Sequence, residues 1–275
     1  MRGATQVHLL KASDGHLYAV KFSNNPLHRR ILVNELIASE IARHLRISAP
    51  ESIAIRLTDS FLRENPEVYF ELGTERRAVT PGLHFGSRYP FDMDDAAVYD
   101  FLPDALINKI VNAGDFLGVY VVDRWLANSN APQSIFFRQP YEEQGNVSRF
   151  VMECIGFGGA FDGERWRFAD SSSLSLDCRP RVYQDVDSIE SFQPWLSAIA
   201  QFPESVINDI RKRIPEEWLE GDDASQLTAM LNELLSRRAK VADLLRASSR
   251  HTMNPFPKWH SGESDRLTSG SPVLA

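Results

Sequence analysis

The stretch Leu17-Tyr18-Ala19-Val20-Lys21-Phe22, followed after a short link by Val33-Asn34-Glu35, decides how this chain is read. Strand side chains alternate faces, so Leu17, Ala19 and Lys21 point one way and Tyr18, Val20 and Phe22 the other. An ammonium then stands two residues from a small methyl group on an otherwise apolar surface. A lysine in such a place needs an anionic partner. Glu35, at the head of the next helical pattern, is the candidate.

Working outward, residues 7–10 and 16–22 flank Ser13-Asp14-Gly15 and predict a β-hairpin. Asp-Gly supplies the positive φ angles that a tight hairpin turn needs. Asn34 is expected to cap a helix over residues 35–45, whose apolar positions Leu36, Ile37, Ile41 and Leu45 recur at helical spacing. Pro50 closes that unit, and residues 53–57 and 68–72 predict further strands. The expected small β-rich lobe spans residues 1–90.

Beyond residue 91 the pattern turns helical. Helices are predicted over 104–110, 113–127, 192–199, 203–213 and 224–245. Strand-like segments at 134–137 and 150–155 lie among them, and the second runs into Gly156-Phe157-Gly158-Gly159. Residues 91–247 therefore predict a helical lobe. Residues 248–275, polar and broken by Pro and Gly, predict a disordered tail.

Composition narrows the function classes. The 275 residues are 43% hydrophobic and 10% aromatic, enough for a sizeable core. No apolar run is long enough to span a bilayer, and the first residues carry no signal-peptide pattern, so a cytoplasmic protein with no membrane partner is expected. Cys154 and Cys178 make no disulfide framework. A net charge of -7 without a dense basic cluster argues against a nucleic-acid partner. His8, His16, His28, His44, His84, His251 and His260 form no metal-ligand spacing. The glycine run at 156–159 lacks the Lys-Ser/Thr of a P-loop. Cys154 reads as a small core residue rather than a nucleophile, and Trp125, Trp166 and Trp218 as core anchors.

The motifs together resemble the HipA-like kinases, in particular the compact solitary HipA-like proteins of bacteria. Gly3-Ala4-Thr5-Gln6 resembles that family's phosphate loop. Tyr18-Ala19-Val20-Lys21-Phe22 and Leu32-Val33-Asn34-Glu35 resemble its lysine strand and glutamate helix. Pro81-Gly82-Leu83-His84-Phe85-Gly86-Ser87-Arg88-Tyr89 resembles the stretch where its lobes meet. Asp123-Arg124-Trp125-Leu126-Ala127-Asn128 resembles the start of its catalytic loop, the segment 155–166 its metal loop, and Glu216-Glu217-Trp218 part of its C-terminal helical region. The similarity runs over about residues 3–246. It implies an α+β, two-lobe protein-kinase-like fold that binds ATP through Lys21, Glu35, Ala19, Gly3 and Gln6.

The departures bear on chemistry. The family pattern retains Asp123 and Asn128, but its proton-accepting acid is Asn130 here, and its metal-binding Asn is Ile135. Its metal-binding Asp is Gly156. An amide has no basic site near neutral pH, and Mg²⁺ seeks carboxylate oxygens. The expectation is a pseudokinase that binds ATP weakly through Lys21, does not use Mg²⁺, and works through a protein partner not identified by sequence. One alternative is a working Ser/Thr kinase in which Glu153, Asp162, Glu164 or Asp123 has taken over the lost roles. Another is a purely structural interaction module whose partner surface lies on residues 227–245 or the tail.

Overall fold

The computed structural model describes residues 6–92, 97–138, 149–170 and 180–260. Strands β1 (His8–Lys11), β2 (Leu17–Lys21), β3 (Ser52–Leu57) and β6 (Gly82–Arg88) form an antiparallel sheet in the order β1-β2-β6-β3. Between β3 and β6 lie helix α2 (Asp59–Glu64) and a hairpin of β4 (Tyr69–Leu72) and β5 (Glu75–Ala78). Helix α1 (Arg30–His44) connects β2 to β3.

The alternation along β2 holds. Tyr18, Val20 and Phe22 are buried in a small core with Ile55, Leu57, Val68, Phe70 and Val79. Ala19 pairs with Ser87 and Lys21 with Phe85 across the β2–β6 ladder.

Helix α1 departs from expectation. It starts at Arg30, so Asn34 is not its cap; the Arg29 side chain makes no cap bond, and the His28 ring nitrogen accepts the Arg30 N–H at 3.2 Å. Arg30 instead ties that turn to the rest of the chain. It donates to Asp223 at 2.5 Å and to the carbonyl of Glu164 at 2.8 Å, and it lies over the Trp166 ring. From Leu32 to Ala42 nearly every residue is buried, as a helix enclosed on all sides must be. Its apolar residues belong to the large core, with Tyr120, Trp125, Met152 and Trp218, rather than to the small one. A helix near the N-terminus thus forms the spine of the molecule.

The second part is mostly helical. It holds α3 (Asp115–Leu126), α4 (Pro180–Tyr183), α5 (Trp195–Ala200), α6 (Glu204–Lys212), α7 (Asp223–Ser236) and α8 (Val241–Ser249). A small sheet of β7 (Val98–Tyr99), β8 (Gln133–Arg138) and β9 (Phe150–Ile155) faces the first sheet. The helix expected over 224–245 is interrupted at residues 237–240, where Arg237 turns inward. It donates to the carbonyls of Trp125 and Arg124 at 3.1 and 3.2 Å, and pairs with Asp170.

The expected tail is also corrected. Residues 248–260 pack on the large lobe. Phe256 is fully buried, with its ring 5.2 Å from that of Tyr120 and 5.3 Å from that of Phe192. Phe256, with Trp259 packed beside it, anchors a segment that has no periodic pattern. Residues 261–275 lie outside the described residues. Among the described residues no helix is long and apolar enough to cross a membrane.

Candidate nucleotide cleft

A cavity of about 150 Å³ lies between the two sheets. Ala19 and Lys21 of β2 and Phe85 and Ser87 of β6 form one wall, and Ile135 of β8 and Ile155 of β9 the other. Residues 88–90 close one side. Most of the lining is apolar, which suits a flat ring, and Lys21 supplies a cation.

Lys21 is ion-paired with Glu35, as its position on the strand predicts. Glu35 is 4% exposed in its side chain and Lys21 15%. The carboxylate does more than hold the lysine. Its Oε1 accepts the N–H of Gly158 at 2.8 Å, and its Oε2 that of Phe157 at 3.1 Å. Asn34, one residue earlier, donates to the carbonyls of Gly158, Ala160 and Gly163 at 3.0, 2.9 and 2.8 Å. Its own oxygen accepts from the Trp166 indole at 2.7 Å. Two adjacent side chains of α1 thus fix the whole loop from Gly156 to Trp166.

The loop needs that restraint. Phe161, Asp162 and Trp166 all sit at positive φ, near 59°, 58° and 46°. Each such residue is strained and persists only where its surroundings over-determine it. On its far side the loop meets the turn after α3. Ser129 donates through its N–H and its hydroxyl to the carbonyl of Gly159 at 2.9 and 3.0 Å. Asn128 donates to Asp123 at 2.8 Å and accepts the N–H of Asn130 at 3.1 Å. A Cβ on Gly159 would lie 2.6 Å from Asn130 Cγ and 2.7 Å from Asn128 Oδ1, so the two loops mesh at a glycine.

The residues present do not fit a hard divalent cation. Asn130 is neutral, Ile135 has no donor atom, and Gly156 has no side chain. At Gly156 the vacated space is filled: a Cβ there would lie 2.5 Å from Gln133 Oε1, and the backbone sits at φ +77. Among the described residues no group of three or more His, Cys, Asp or Glu could hold a metal.

The acids considered as replacements are engaged elsewhere or lie off the cavity wall. Burial alone would raise the Asp162 carboxyl, but Arg167 at 2.6 Å and Arg165 at 3.2 Å outweigh it and hold it low. Glu164 is exposed. Asp123 is buried and bonded to Asn128. Glu153 stands across the strand from Ile135, outside the cavity lining. Burial pushes its carboxyl up to about 7, with Arg43 pulling the other way, and its Oε2 has no hydrogen-bond partner. Cys154 is 1% exposed, and burial raises its thiol well above the ordinary value.

One described residue of the expected nucleotide set is not brought to the cavity. Gln6 is absent from its lining. Its side-chain amide pairs with the backbone of Glu71, donating and accepting at 2.6 Å, as a neighbouring strand would. Gly3, like Cys178, lies outside the described residues. Sequence reasoning missed Gln133, which lines the cavity beside Ile135. Strand alternation places 133 and 135 on one face and could have found it.

A β-rich small lobe, a helical large lobe and a lysine–glutamate pair at the cleft between them define the class of architecture. The family model for HipA-like kinases matches residues 1–136, and over that stretch the chain belongs to the HipA-like kinase family. The matched stretch takes in Lys21, Glu35, Asp123, Asn128, Asn130 and Ile135, and stops before Gly156. Neither the curated proteins nor the solved structures gave a match.

Proposed function

We propose that this chain is a kinase-fold pseudoenzyme: a binding module that takes ATP through Lys21 without a metal and does not transfer its phosphate. The observation that carries this reading is the donor set. Phosphoryl transfer rests on positioning and on metal neutralisation of phosphate charge. Here the base position is Asn130, the metal positions are Ile135 and Gly156, and Gln133 overlies Gly156. Losses within one catalytic unit remove most of its rate and do not simply add. The apolar walls and the Lys21 ammonium still suit the base and phosphates of a nucleotide. A bound nucleotide then alters the surface offered to a protein partner.

Thermal unfolding with ATP, in EDTA and in magnesium, tests binding. Stabilisation that persists in EDTA and disappears in Lys21→Met is the expected result. Incubation with labelled ATP and generic protein substrates tests chemistry. Robust transfer abolished by Asp123→Ala would overturn the reading.

A further inference from the structure

We propose that Gln133 occupies the role of the missing metal, so that the cleft selects the magnesium-free form of a nucleoside polyphosphate and magnesium opposes binding. The proposal rests on the nucleotide reading above and goes further, because it assigns the form of the ligand and a residue that sets it.

Gln133 opens β8 on the same face as Ile135, and both line the cavity together with Lys21 and Gly156. Its Oε1 and Cδ lie 2.5 and 2.9 Å from the point where a Cβ on Gly156 would stand. Its amide therefore occupies the space from which a side chain at 156 would reach a metal. The residue is exposed to the cleft, and its side chain bonds to no other described residue, so its N–H donors remain available. An amide donates to phosphate oxygens without requiring a counter-ion and without repelling them.

Charge points the same way. Among the described residues lining the cavity Glu35 is the one carboxylate, against Lys21 and Arg88. Glu35 is paired with Lys21 and held by two backbone N–H groups, so with Arg88 the lining keeps a net positive charge. A cleft of this kind holds a free polyphosphate without the repulsion that metal-binding carboxylates would exert. Chelation by a divalent cation cancels part of the phosphate charge and weakens its attraction to Lys21. It also presents a hydrated ion to a wall of Gln133, Ile135 and Gly156 that offers no carboxylate.

The test is calorimetric titration with ATP, in EDTA and in excess magnesium, of the wild type, Gln133→Glu, Gln133→Ala and Lys21→Met. Gln133 is exposed, and matching unfolding midpoints confirm that its variants fold. The wild type is expected to bind about three- to tenfold more tightly in EDTA. Gln133→Ala should weaken binding in EDTA about fivefold without changing the order. Gln133→Glu should reverse the order, because a carboxylate beside the phosphates now needs the cation. Tighter or equal wild-type binding in magnesium overturns the proposal, as does a Gln133→Glu variant that keeps the wild-type order. Binding lost in Lys21→Met but indifferent to Gln133 and to magnesium overturns this role and leaves the nucleotide reading standing. Absence of ATP binding under every condition overturns both.

Discussion

Glu35 Oε1 accepts the backbone N–H of Gly158 at 2.8 Å while the same carboxylate holds the Lys21 ammonium. A strand, a helix and the glycine loop therefore meet at one buried group. The lysine–glutamate pair is one part of a larger junction that locks the loop against α1.

That junction gives unequal losses. Glu35→Ala leaves Lys21 without its partner and two buried N–H groups unsatisfied, and should cost about 3–5 kcal/mol. Lys21→Met leaves the carboxylate two N–H donors and should cost about 1–2 kcal/mol. Urea unfolding measures both, and equal losses would sink the junction.

Packing at Gly158 is equally specific. A Cβ there would lie 2.7 Å from Ile31 Cγ2. Gly158→Ala should destabilise by about 1–3 kcal/mol through overpacking. Ile31→Ala in the same chain should recover part of that loss, seen as a favourable coupling in a double-mutant cycle. Strict additivity would show that the contact is not the cause.

Restoring the family's residues should not restore chemistry. A chain carrying Asn130→Asp, Ile135→Asn and Gly156→Asp together must place an aspartate at φ +77 against Gln133. The expected outcome is a lower unfolding midpoint and no transfer of labelled phosphate. Brisk transfer by that variant would mean the loop adapts freely.

Two buried groups titrate in opposition. Burial raises Glu153 from 4.5 to about 7. Its folded form prefers the proton, so stability is highest below pH 4.5 and falls as pH rises through 7, by about 3 kcal/mol. Burial lowers His84 from 6.5 to about 4, against the carbonyl of Thr80, which accepts its Nε2–H at 3.0 Å. Its contribution is present above pH 6.5 and is lost as pH falls through 4, with a similar magnitude. The two slopes largely cancel in the wild type. Glu153→Gln should unmask the histidine, giving stability that climbs from pH 4 to pH 6.5. A Glu153→Gln profile that parallels the wild type would refute the assignment.

Cys154 should resist modification. With its thiol buried and its ionisation suppressed, a Cys178→Ser chain should react with iodoacetamide at pH 8 only after unfolding. Labelling of the native protein at the rate of a free thiol would contradict that burial.

Much of the cleft was legible in residue types and short spacings. Ala19 and Lys21 face it because strand side chains alternate, and that geometry is local. That Asn130, Ile135 and Gly156 carry no carboxylate is plain from side-chain identity, and the proposed reading of them as lost base and metal positions comes from the resemblance to a family pattern. The helix carrying Glu35 followed from apolar spacing, although its start did not.

The errors share one cause. Asn34 looks like a cap because Asn favours caps, yet its partners are 124 to 132 residues away. Gln6 precedes a strand near the cleft, but its amide serves Glu71, 65 residues on. Phe256 belongs to no periodic pattern and still anchors its segment, because three rings from distant helices receive it.

By itself, then, the sequence determined which faces are apolar, where the lysine points and that positions 130, 135 and 156 carry no carboxylate, since these follow from backbone geometry over a few residues and from side-chain identity. Tertiary structure alone decided that Asn34 and Glu35 clamp the glycine loop and that Gln133 fills the space at Gly156. Those contacts exist only after long loops have closed, and no local spacing in the chain encodes which distant atoms will meet.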